Sequence, residues 1–153
     1  MTIESYLSNA TDYGSLTNAE RNAICAAMEG EFVWIADDDY WVKEQECLAC
    51  GFQCGEVNIW SKGHFLCLHQ LHDFDHWFAA SIPYYIQDGT AALRLVARFR
   101  MRVEFGEIQR TGDSGFFAGF IGRISEYYGT TPAAAIVYAV CELARAEYSY
   151  KTA

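Results

Sequence analysis

Several things are missing from this chain, and each absence removes a class of function. No apolar run approaches the roughly 20 residues that a membrane-spanning helix requires. The opening MTIESYLSNATDYG has neither a basic n-region nor an apolar h-region, so it does not read as a signal peptide. There is no HExxH zinc-protease pattern and no deaminase-type HxE…PCxxC pattern, which argues against catalytic zinc. The glycines at 119 and 122 are not followed by the lysine and helix of a phosphate-cradling loop. Basic residues are scarce in the first half: residues 1–76 hold 13 Asp and Glu against 3 Lys and Arg, a net charge of -10. Residues 77–153 hold 7 against 8, a net of +1, giving the overall -9. An acidic field of that kind repels nucleic-acid phosphate and suits a basic protein surface, or simply keeps the chain soluble.

What is present is a chain able to fold. At 153 residues, 52% hydrophobic and 16% aromatic, it has the size and composition of one domain with a substantial core, not of a disordered segment. The expected location is the cytoplasm, where the six cysteines are thiols or metal ligands and not disulfides.

Four of those cysteines and all four histidines fall within residues 47–76. Cys47-x-x-Cys50-Gly51 has the form of a zinc knuckle: two thiolates leave one tight turn, and the glycine lets the backbone fold beneath the ion. Cys54 follows four residues on. Residues 56–60 and 64–70 read as strands of a hairpin turning at Ser61-Lys62-Gly63, which places Cys67 and His69 on a shared face. Tetrahedral zinc needs four ligands, and Cys47, Cys50, Cys54 with Cys67 or His69 supply a set. His72 and His76 stand at i,i+4 if HDFDHWFAA is helical. The second CxxC of a zinc ribbon is missing, so the competing reading is that these cysteines are small buried apolar residues. A cysteine nucleophile with a histidine base requires geometry that sequence does not provide.

Elsewhere the elements are marked by local chemistry. Residues 1–16 are polar and turn-rich and read as a loosely held arm. Thr17 and Glu20 form a capping box ahead of a helix over 18–29, with Ala23, Ile24, Ala27 and Met28 at helical spacing and Gly30 as its stop. FVWIADDDYWVKEQ reads as two strands joined by Asp37-Asp38-Asp39. Such a triplet is a solvated turn or a contact site; oxygen ligands at calcium-loop offsets are lacking. In DGTAALRLVARFR, Ala92, Leu95, Val96 and Phe99 form an amphipathic stripe with Arg94 and Arg98 on the other side. From Arg98 the alternation becomes strict, and the switch from helix to strand is expected near residues 101–103. TGDSG turns the chain back into a strand over 116–121. Thr131 and Pro132 open a final, nearly all-apolar helix over 133–146, with Glu142 and Arg145 on its wet edge beside Tyr138, and with Cys141 read as packing.

The second half, PYYIQDGTAALRLVARFR, RTGDSGFFAGF and YYGTTPAAAIVYAVCELA, resembles the phage ABA sandwich family over about residues 83–146. The resemblance rests on a proline–tyrosine lead-in, a D-x-x-A-A helix, an aromatic hairpin and a T-P-x-x-A-I helix. It implies a sheet with helices against it and a phage or prophage origin, and it brings no catalytic residues. The cysteine-rich residues 47–76 then form an insert ahead of the family-like part. The expected fold is α+β, an antiparallel sheet with the first and last helices packed on it. The expected function is non-enzymatic: a phage accessory protein that binds and inhibits a host protein, such as a CRISPR–Cas defence complex, through Asp37, Asp38, Asp39, Glu44 and Glu46. The alternatives are a zinc-stabilised structural or regulatory module, and a small-ligand binder.

Overall fold

The computed structural model describes residues 3–9, 15–30, 33–36, 40–43, 57–61, 64–67, 77–79 and 82–152, with backbone course and pairing alone between 33 and 79. The fold is α+β, with helices α1 (Ile3–Asn9), α2 (Asn18–Met28), α3 (Gly89–Phe99) and α4 (Pro132–Thr152). Its strands are β1 (Val33–Ala36), β2 (Tyr40–Lys43), β3 (Val57–Ser61), β4 (His64–Cys67), β5 (Trp77–Ala79), β6 (Met101–Glu107), β7 (Ser114–Phe120) and β8 (Glu126–Gly129). Among the described residues they pair as antiparallel sheets β1-β2, β3-β4-β5 and β6-β7-β8.

The centre of the molecule is α4. One long side lies on β7 and β8, while α1, α2 and α3 close over the rest. From Ala133 to Ala144 every residue is buried except Tyr138 and Glu142, which are partly covered, and Arg145 begins the exposed end. The helix starts as its sequence indicates: Thr131 Oγ1 accepts from Ala134 N at 3.1 Å, and Pro132 occupies the first turn, where its missing N–H leaves no gap. It continues beyond residue 146 to Thr152.

The capping box at α2 is formed. Glu20 N donates to Thr17 Oγ1 at 3.1 Å and Thr17 N donates to Glu20 Oε1 at 3.0 Å. Gly30, at φ 93, then ends the turn in a conformation that side chains disfavour. Asp88 caps α3 by accepting from Thr90 N at 3.0 Å and Ala91 N at 3.3 Å. Ala91, Ala92 and Leu95 face the core. The helix-to-strand switch falls at Arg100, whose left-handed φ of 51 lets the chain leave α3 and enter β6 in one residue.

Two expectations need correction. Residues 3–9 are not a loose arm: they form α1, and Ile3 and Leu7, one helical turn apart, are fully buried against the core. Trp77–Ala79 is not helical; it is β5, with Phe78 opposite Phe65 of β4. The packing of helices on antiparallel sheet is as expected: α2 lies on the β1-β2 hairpin and α4 on β6-β7-β8, with α1 and α2 also lying on α4.

Candidate functional site

The acidic triplet and the Cys/His cluster are framed by two hairpins. In the first, Ala36 lies opposite Tyr40 as the last pair of the β1-β2 ladder, so Asp37, Asp38 and Asp39 are the connection between the strands. The triplet itself, with Glu44 and Glu46, lies outside the described residues. In the second hairpin, β3 pairs with β4 as the alternation implied, and Cys67 stands opposite Val57. Cys47, Cys50, Cys54 and His69 lie outside the described residues, as do His72 and His76. Among the described residues no three His, Cys, Asp or Glu side chains gather as a metal-binding group.

The other two cysteines are core residues. Cys25 of α2 and Cys141 of α4 are both buried, and Cys141 Sγ sits 3.8 Å from the Arg21 carbonyl oxygen, one turn before Cys25. Burial, and then the hydrogen bond with Cys141, push the Cys25 thiol well above its ordinary range. It stays protonated, which removes the thiolate that nucleophilic chemistry needs.

One polar constellation escaped the sequence reading. Glu29, at the end of α2, receives the Tyr85 hydroxyl and the Arg94 guanidinium, the latter at 3.4 Å. Arg98 Nε, one turn further along α3, donates to Met28 O at 3.3 Å. A carboxylate at a helix C-terminus is disfavoured by the helix dipole, and the two arginines reverse that local field. Burial, followed by the bond to Glu29, holds the Tyr85 proton well above the usual tyrosine range. The same carboxylate is the main cause of the raised Arg94 value. Nearby, Asn22 Oδ1 is buried and accepts from Ile86 N at 3.1 Å. The partners are 56 to 65 residues apart in the chain, so no spacing rule links them.

On the outer face of the β6-β7-β8 sheet, Arg102 pairs with Glu126 at 3.1 Å across Gly119. Beside it, Phe117 and Tyr128 pack with ring centroids 5.5 Å apart. Arg94 and Arg98 of α3 and Arg102 of β6 are thus engaged by the chain's own groups. Among the described residues no helix is long and apolar enough to cross a membrane. No family model, curated protein or solved structure matches the chain.

Proposed function

We propose that this chain is a non-enzymatic accessory protein of phage origin that binds and inhibits a host protein carrying a basic surface. A CRISPR–Cas defence complex, with its cationic nucleic-acid channel, is the type of target. The observation that carries this reading is the uneven charge: 13 acidic against 3 basic residues in the first 76, and near-neutrality thereafter. Intramolecular pairing supports it, because Arg102 and Arg145 lie on Glu126 and Glu142 of the second half and so do little to offset the acidic half, in which Glu29 is matched by Arg94. Carboxylates in such a field approximate phosphate and steer association with a basic groove. The contact residues are Asp37, Asp38 and Asp39 in the β1-β2 connection, with Glu44 and Glu46 just beyond β2. The resemblance to the phage ABA sandwich family belongs to this proposal and supplies its biological setting.

Replacing Asp37, Asp38 and Asp39 together with Asn tests it. The variant retains the fold and associates more slowly with the host complex, with the deficit shrinking as salt rises. Inhibition equal to the parent's at low salt overturns the role of the triplet.

A second reading is favoured by the gathering of four cysteines and four histidines in residues 47–76. On it, Cys47, Cys50 and Cys54, with Cys67 or His69, hold a structural zinc ion that organises this part of the chain.

A further inference from the structure

β6 is the first strand of the β6-β7-β8 sheet, and among the described residues no strand pairs with its other edge. The ladder with β7 runs from Met101↔Phe120 to Glu107↔Ser114 without a register shift, so no bulge blunts that edge. No lysine or proline interrupts it either.

The hydrogen-bond phase is fixed at both ends of the ladder. Ile121 N donates to Arg100 O at 2.9 Å, and Ile108 N donates to Asp113 O at 2.8 Å. Even-numbered residues therefore direct their N–H and C=O groups to β7. Met101, Val103, Phe105 and Glu107 direct theirs to the outer edge.

The strand is also complementary to itself. Turned antiparallel about Val103, MRVEF sets Val103 opposite Val103, Met101 opposite Phe105, and Arg102 opposite Glu104. The odd residues then meet as hydrogen-bonded pairs, as their outward backbone groups require. Arg102 and Glu104 meet as the closer, non-hydrogen-bonded pairs, on the face away from α4, where opposite charges attract. Phe105, 69% exposed in the single chain, acquires Met101 of the second copy as a direct neighbour. Arg102, near the start of the strand, thus lies against Glu104 of its counterpart.

We infer that the outer edge of β6 is a homodimerisation surface, on which a second copy pairs antiparallel about Val103 to fuse the two β6-β7-β8 sheets into one. This surface lies in the near-neutral half and is independent of the acidic contact proposed above.

Sedimentation equilibrium of the full chain tests the inference. The parent should weigh twice the chain mass at micromolar concentration, and a monomer throughout that range overturns the proposal. Glu104→Arg sets arginine against arginine at both symmetric contacts and should raise the dissociation constant about tenfold or more. Glu104 is exposed and the change leaves the Arg102–Glu126 pair intact, so the monomer should keep its circular dichroism. The double variant Arg102→Glu/Glu126→Arg reverses the intramolecular pair and should be equally monomeric. Mixing it with Glu104→Arg restores opposite charges at every contact and should recover a dimer. An undiminished dimer in Glu104→Arg, or a mixture that stays monomeric, overturns the register. If Glu104→Arg does not fold, Val103→Pro replaces it, since that N–H faces the second copy and not β7. Its unchanged dimerisation would equally overturn the pairing.

Discussion

The hydroxyl of Tyr85 and the guanidinium of Arg94 converge on one carboxylate, Glu29, and this joins the end of α2 to the segment that leads into α3. Tyr85→Phe deletes the hydroxyl but keeps the buried ring, so its cost is that of a hydrogen bond to a charged acceptor, about 1.5–3 kcal/mol in urea melts near pH 7. The tyrosine proton is held tightly by burial and by Glu29, so the folded-state pKa lies above the unfolded value of about 10. The stabilisation linked to this shift is fully present below about pH 10 and is lost as pH rises through the folded value. The parent should therefore lose stability above pH 10 more steeply than Tyr85→Phe does. Parallel alkaline profiles would refute the assignment.

Among the elements, β8 and α4 approach more closely than side chains allow. A Cβ at Gly129 would lie 2.4 Å from Ala135 N and 2.9 Å from the Ala134 carbonyl carbon, both of them backbone atoms that cannot swing aside. Gly129→Ala should cost about 1–3 kcal/mol or more, read as a lower urea midpoint. Gly89→Ala, where no atom lies within 4 Å, should be neutral or slightly stabilising. The parts of the fold legible in sequence were those with local chemistry: the Thr17–Glu20 box, the Ala92 to Phe99 stripe, the Thr131-Pro132 helix start and the strand pairing of three hairpins. Those that escaped lack it. α1 carries two core anchors, Ile3 and Leu7, in a polar stretch, and its helix is secured by burial against α4. β8 has four residues, too few to show a period, and exists because β7 offers it an edge. At Arg100 helix and strand periods coincide, so the junction is marked by a backbone angle and not by the pattern.

For the whole molecule, composition identified the two candidate regions, while the distances that would turn candidates into a site are tertiary quantities that spacing does not encode. Metal content separates the two functional readings directly. If residues 47–76 hold zinc, purified protein carries about one equivalent, and Cys50→Ser removes it and lowers stability by several kcal/mol. Metal-free protein whose melting temperature ignores chelator excludes this reading. The position of α4 has a further consequence, for the order of assembly. α1, α2, α3 and the β6-β7-β8 sheet all precede, in the chain, the helix on which they rest. Ile3 and Leu7 are more than a hundred residues from α4, so the part of their burial that α4 supplies comes only once that long loop closes. The helix that unites the structure is therefore also the last of these elements to leave the ribosome, and the full core is available only after it.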